Sequence, residues 1–300
     1  MGAAIAANLL KAGYGLRVYN RTAAKATPLV DKGATLASKP EEVAQSGGIV
    51  LTMVADDRAL EDLCLTSGSF VERLGSGGIH ISMSTIAPAT AERLAEHHAK
   101  FGVTYLASPV FGRPEAAAAA KLWICVSGAA AAKEKAKPIH AAIGQGVFDF
   151  GEGVASANVV KLCGNFLIAS AIESLAESLT LAEKNGVDKK AVADMLGKTI
   201  LACPVYQGYS KQIAEERFEP AGFRLALGLK DITLALQAAT AKSMPMPVGS
   251  LLRDRWLASV AKGRENLDWT AIALSVAEDA GLKNEGTKNE SVRTASRSAD

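Results

Sequence analysis

Between residues 16 and 150 the sequence switches repeatedly between two hydrophobic periods, and this switching limits the chain to few folds. Short apolar, β-branched runs lie at 16–19 (LRVY), 48–54 (GIVLTMV), 78–82 (GIHIS), 103–107 (VTYLA), 121–127 (KLWICVS) and 146–150 (GVFDF). Between them come segments with helical spacing: 3–12, 23–32, 58–64, 70–74, 88–101 and 130–143. Gly13 and Gly33 follow the first two as C-terminal caps. Near-continuous apolar strands separated by helices predict an α/β domain with a mostly parallel sheet buried on both faces.

After Gly153 the strands stop. Residues 155–185 keep a helical pattern that ends at Asn185-Gly186, a span of ~45 Å at 1.5 Å per residue. Further helical stretches cover 189–196, 203–216, 223–241, 248–262 and 270–280. The sequence therefore predicts a first domain at 1–152, an all-α domain at 153–282 entered through one long helix, and a disordered tail at 283–300. With 33 basic and 31 acidic residues the net charge is +2, which gives no electrostatic reason to expect nucleic acid. No run approaches the ~18 consecutive apolar residues of a membrane span, and the start has no basic n-region of a signal peptide, so a cytoplasmic protein is expected. Cys64, Cys125, Cys163 and Cys203 form no C-x-x-C pair and read as reduced thiols. His97 and His98 are adjacent and diverge on a helix, while His80 and His140 stand alone, so no metal site is expected.

A helix followed by a short strand and Asn20-Arg21-Thr22 has the layout of the interior of a dinucleotide-binding βαβ unit, in which a strand and G-x-G-x-x-G precede the helix. Gly2 stands where the last glycine belongs. The first strand and the first two glycines are not in the sequence, so the chain is expected to be N-terminally truncated, with the missing strand placed between 16–19 and 48–54. An acidic residue after the second strand favours NAD. Here Asn20, Arg21 and Thr22 occupy that place with Lys25 a turn on, a set that suits a 2′-phosphate and predicts NADP over NAD.

The best chemical candidate lies in the long helix. Lys161 and Asn165 are four residues apart and share a face, which Asn158 extends. A lysine there can protonate the oxygen of a carbonyl being reduced, and Asn165 can orient the substrate. The full segment, Gly151-x-Gly153-x-x-x-x-Asn158-x-x-Lys161-x-x-x-Asn165, resembles the catalytic segment of the β-hydroxyacid dehydrogenases. That family includes 3-hydroxyisobutyrate dehydrogenase and the glyoxylate/succinic semialdehyde reductases and is related to 6-phosphogluconate dehydrogenase. The resemblance runs through residues 1–282 and takes in Met83-Ser84-Thr85, the stretch Ser108 to Pro114, Phe223, Lys230-Asp231 and Asp268-Trp269.

The resemblance implies a Rossmann-like domain followed by an all-α domain, a homodimer or homotetramer, and roles for matching residues. Lys161 would be the catalytic acid/base and Asn165 a substrate ligand beside Ser84. Thr85 and Lys230 would contact the cofactor near the nicotinamide and ribose, with Met53 and Val54 on the adenosine side. Phe223 and Asp231 would close over the substrate. One departure stands out. Phe111-Gly112-Arg113 replaces a Ser-Gly-Gly or Ser-Gly-Ser whose hydroxyl holds a substrate carboxylate. Phe111 offers an apolar wall instead, the Gly112 N–H remains as a donor, and Arg113 can restore an anion contact. The activity expected is NADP(H)-linked hydride transfer to a small aldehyde or 2-oxo acid, or from a 3-hydroxy acid. An imine reductase-like activity, and a non-catalytic binding or assembly module without the first strand, are the alternatives.

Overall fold

The computed structural model describes residues 1–282, and the disorder expected for 283–300 lies outside the described residues. The chain forms two compact units. One is Met1–Gly164 with Leu234–Met244, and the other, among the described residues, is Asn165–Thr233 with 245–282. The division falls inside the long helix, later than the expected 152/153, because the first turn of that helix packs on the sheet domain: Ala155, Ala157 and Val160 join one of its cores.

In chain order the first unit holds α1 (Gly2–Lys11), β1 (Arg17–Val18), α2 (Thr27–Val30), β2 (Thr35–Leu36), β3 (Ile49–Thr52), α3 (Asp57–Cys64), α4 (Phe70–Leu74), β4 (Ile79–Ser82) and α5 (Pro88–Ala99). It continues with β5 (Thr104–Ala107), β6 (Val110–Phe111), α6 (Pro114–Ala118), β7 (Leu122–Val126), α7 (Ala130–Ile143) and β8 (Gly144–Asp149), and then the start of α8 (Ser156–Lys184). Strands β3, β4 and β5 are parallel neighbours, as are β7 and β8, while β6 runs antiparallel to β7. A bridge between Ala107 and Ser127 links the two sheets. Strand β1 pairs with β2, and among the described residues no ladder joins β1 to β3.

The period of two decides which core each strand residue enters. Ile79, Ile81, Leu106, Leu122, Ile124 and Val126 face one core with Ile5 and Leu9 of α1 and Ile139 and Ile143 of α7. The intervening Tyr105, Ala107 and Cys125 face the other, with Leu60, Phe70, Leu74 and Leu94 of α3, α4 and α5. Burial on both sides is what keeps a parallel sheet stable, and it accounts for the apolar runs. Residues 23–32, expected as one helix, form a 3₁₀ turn (Ala23–Lys25) and the short α2 instead. Pro28 has no N–H and clashes with a carbonyl four residues back, so no helix runs through it from Ala24, whereas it suits the first turn of a new one.

His80, expected to stand alone, meets His98 inside the second core. His98 Nδ1 lies on the Leu94 carbonyl, which only accepts, so this nitrogen carries the hydrogen. His98 Nε2 then accepts from His80 Nδ1 at 2.8 Å, and His80 Nε2 accepts from the Thr52 hydroxyl at 2.8 Å. Every ring nitrogen of the pair is thus matched with both imidazoles neutral. Cys64 brings its sulfur within 4.8 Å of these ligand atoms, and burial pushes its thiol up to about 12.

The second unit is helical. It comprises the remainder of α8 with α9 (Lys189–Lys198), α10 (Pro204–Ala214), the first part of α11 (Leu225–Thr240), α12 (Pro247–Ala261) and α13 (Ile272–Asp279). Gly228 lets α11 lie directly on two indoles: a Cβ there would come 2.8 Å from Trp256 Nε1 and 3.2 Å from the Trp269 ring. Arg255 of α12 ties α8 and α13 together through Glu173 at 2.9 Å and Asp279. Helix α8 corrects one expectation. By length and composition it does have the character of a membrane span, and half of its most apolar window is buried within the protein, as in a core helix.

Candidate active site

The carboxyl ends of β3, β4 and β5 gather several of the expected residues. Ser84 is fully buried, and its hydroxyl accepts the Val54 N–H at 2.9 Å, fixing the loop after β4 to the loop after β3. It does not cap α5, whose N-cap is Ala87 without a side-chain bond; the Ala87 N–H donates to Asp57 instead. Gly2 starts α1 against Met53, where a Cβ would touch the Met53 side chain at 3.5 Å. Met53, Val54 and Thr85 are half-buried around these ends. Loops at the carboxyl ends of parallel strands are where doubly wound sheets place their ligands.

The entry to α8 is held by residues the sequence reading missed. Ser127 follows β7; its hydroxyl donates to the Val154 carbonyl at 3.1 Å and accepts from the Ala157 N–H at 3.0 Å. Lys133 clamps the same turn from α7, through Asp149 at 2.8 Å and the Gly151 carbonyl at 3.2 Å. Gly151 has φ +88°, which a side chain rarely adopts. The signal for Ser127 was thin: one serine before a glycine at a strand end.

These contacts aim the polar stripe of α8. Lys161 is only 8 % exposed, and its Nζ sits 4.0 Å from the centroid of the Phe111 ring. The positive charge also reaches Cys125 on β7, where burial raises the thiol and Lys161 pulls it back down. Asn158 is buried one turn earlier, and its Oδ1 has no donor among the described residues. Gly112 has φ +139° and leaves no room for a side chain, since a Cβ would meet Leu122 at 2.8 Å. Arg113 is half-buried at the N-cap of α6.

In the helical unit, Asn165 Nδ2 donates to Asp231 Oδ2, and Lys230 pairs with Asp231 at 2.9 Å. Asn165 and Asp231 are 4 % and 2 % exposed, so the pair is withdrawn from bulk water. Phe223 packs edge-on against Trp269, with ring centroids 4.7 Å apart. Asp268 holds its loop: Oδ2 accepts the N–H groups of Gly222 and Phe223 at 3.0 and 3.1 Å, and Oδ1 accepts from Thr270. With four donors dependent on this one buried carboxylate, Asp268→Ala is expected to cost roughly 3 kcal/mol in urea denaturation. A loss below about 1 kcal/mol would deny Asp268 that role.

Asn20, Arg21, Thr22 and Lys25 are all exposed beyond β1, where the Asn20 side chain accepts the Thr22 N–H at 2.9 Å and shapes the turn. The residues fit a nicotinamide dinucleotide on two counts. The N-terminus of α1 has no side-chain cap and no acidic residue in its first turn, which suits a phosphate. The buried, donorless Asn158 Oδ1 suits a carboxamide N–H.

Residues 1–153 match the family described as the NAD binding domain of 6-phosphogluconate dehydrogenase, and residues 155–276 that described as NAD-binding of NADP-dependent 3-hydroxyisobutyrate dehydrogenase. Fold and sequence together define an NAD(P)-dependent oxidoreductase. The uncharacterized oxidoreductase YfjR of Bacillus subtilis is 44% identical over 272 residues, which is 91% of this chain and 95% of that protein. The NAD-dependent L-serine dehydrogenase of Pseudomonas aeruginosa is 31% identical over 91% of this chain and 93% of its own length. Among solved structures, the 3-hydroxyisobutyrate dehydrogenase of Mycobacterium tuberculosis with L-serine superposes with a TM-score of 0.81 at 26% identity, covering 92% of this chain and 95% of that one. The chain belongs to the β-hydroxyacid dehydrogenase family.

Proposed function

We propose that the protein is an NADPH-linked reductase of small aldehydes or 2-oxo acids, with oxidation of a 3-hydroxy acid to its semialdehyde as the reverse of aldehyde reduction, and with Lys161 as the proton donor and acceptor. The observation that carries this reading is the withdrawal of the Lys161 ammonium from solvent on the polar face of α8, four residues before Asn165. When bound, the reduced nicotinamide supplies a hydride to the carbonyl carbon. Lys161 gives its proton to the carbonyl oxygen as that oxygen gains electron density, and is left as a neutral amine that water reprotonates. Reduction starts from the ordinary charged lysine, whereas oxidation of an alcohol needs the neutral amine, so reduction asks less of the site.

Asn165 orients the substrate oxygen in this reading, with its own amide fixed by Asp231. Ser84 and Thr85 shape the nicotinamide end; Lys230 contacts the cofactor and Phe223 covers the substrate. Phe111 in place of a hydroxyl donor favours a less polar carbonyl. Lys161 and Asn165 support carbonyl over imine reduction, and a buried lysine at this position speaks against a purely non-catalytic module.

Arg21, Thr22 and Lys25 support the choice of NADPH, because a guanidinium, a hydroxyl and an ammonium match a 2′-phosphate. Steady-state reduction of an aldehyde, a 2-oxo acid and a cyclic imine panel with both cofactors tests the whole reading. NADPH is expected to exceed NADH in kcat/KM by at least about tenfold, and Arg21→Asp to lower the NADPH value by roughly tenfold to a hundredfold. Equal use of both cofactors overturns the assignment of Arg21, and turnover of imines alone overturns the carbonyl reading.

A further inference from the structure

The sequence departure at position 111 has a physical consequence for Lys161. Phe111 ends β6, and its ring lies against α8 at two residues about one turn apart. Lys161 Nζ stands 4.0 Å from the ring centroid, the geometry of a cation over an aromatic face. Gly164 clears space for the ring: a Cβ there would fall within 3.0 Å of both Phe111 Cζ and Cε1. The pairing of a phenylalanine at 111 with a glycine at 164 is thus a built contact, with the glycine tolerated in a helix interior where alanine is the better helix former.

We propose that Phe111 is a positioning residue for Lys161, seating the ammonium on its ring face so that the buried lysine stays charged and correctly aimed. The inference rests on Lys161 being the proton donor. Burial of a lysine ammonium favours the neutral amine, and an aromatic face opposes that by attracting the cation and not the amine. Cys125 on β7 is a buried thiol held protonated. Asn158 and Asn165 on α8 are neutral, and Cys163 points to solvent. Arg113 follows on the β6–α6 turn. The ring favours the charged form. It also limits the rotamers of a four-carbon stem, so the proton is presented from one place.

The test uses the full-length protein with NADPH and the best carbonyl substrate of the panel. Phe111→Leu, which keeps apolar bulk but no π face, is expected to lower kcat roughly tenfold to thirtyfold. It should also move the alkaline fall of the kcat/KM profile about one pH unit lower, with KM for NADPH unchanged. Replacement of Phe111 by 2,6-difluorophenylalanine weakens the ring's negative face and leaves Cζ and Cε1 unaltered. It should shift the alkaline limb the same way by a fraction of a unit, and it decides the matter should the leucine variant fold poorly. Gly164→Ala expels the ring and should reproduce the Phe111→Leu profile, while the double variant should be no worse than Phe111→Leu alone. A fluorinated enzyme with the original pH profile overturns the proposal, as does a leucine variant altered only in KM. If Lys161→Ala keeps its activity, the proton-donor reading has failed. If Lys161→Ala is inactive while the ring variants behave as the parent, only the role of Phe111 has.

Discussion

Lys161→Ala is expected to lower kcat for carbonyl reduction by roughly two to four orders of magnitude, the usual worth of a positioned general acid. Binding of NADPH, read by fluorescence titration, should stay within a few-fold, and KM for the carbonyl should change less than kcat. This pattern would mark an interaction made chiefly in the transition state, when the carbonyl oxygen takes on charge. Lys161→Arg sharpens the test. Arginine keeps a cation on the helix and over the Phe111 ring, but it does not release a proton near neutral pH. Were the lysine only an electrostatic support, arginine would retain most of the rate; for a proton donor it should be nearly as slow as alanine. Partial recovery of Lys161→Ala by a small added primary amine would locate the missing proton at this position. An alanine variant with more than about a tenth of the parent kcat would remove Lys161 from the chemistry.

Much of the fold could be read from the sequence, because burial and local geometry coincide there. The run Ile79–Ser82 is buried at every position since helices cover both faces of the sheet there. The end of α8 was clear because Asn185-Gly186 builds its own stop: Gly186 has φ +75°, and the Val187 N–H returns to the Ala182 carbonyl. The polar stripe of Asn158, Lys161 and Asn165 was legible as helical spacing. What escaped was what depends on distant partners. Strands β2 and β6 are two residues each and exist only through the neighbours they pair with. Ser127 gained its place from a helix that starts far along the chain, and His80 its partner from α5. The ring of Phe111 under Lys161 joins residues 50 positions apart, and helical period says nothing of such a contact.

The buried imidazoles should make stability fall steeply on mild acidification. Burial holds His98 and His140 down at about 4, from an ordinary 6.5, and His80 well below 6.5. The unfolded chain takes up protons on these rings near pH 6.5, whereas the folded chain resists until about 4. Between those values the unfolded state binds more protons, so stability is complete above pH 7 and drains as pH falls towards 4. At pH 5 this amounts to roughly 2 kcal/mol for each of His98 and His140, with His80 adding in the same direction. Buried Glu173, whose carboxyl is raised by desolvation, opposes the trend. Urea denaturation at pH 7.5 and 5.0 should therefore differ by about 4 kcal/mol or more for the parent protein. Replacing His140 with leucine should shrink that difference by roughly 2 kcal/mol, because its ring is buried without a partner on Nε2 and its removal disturbs no hydrogen bond at that atom. The same pH dependence in the parent and the His140→Leu protein would show that this imidazole titrates alike in both states and would end the argument for it.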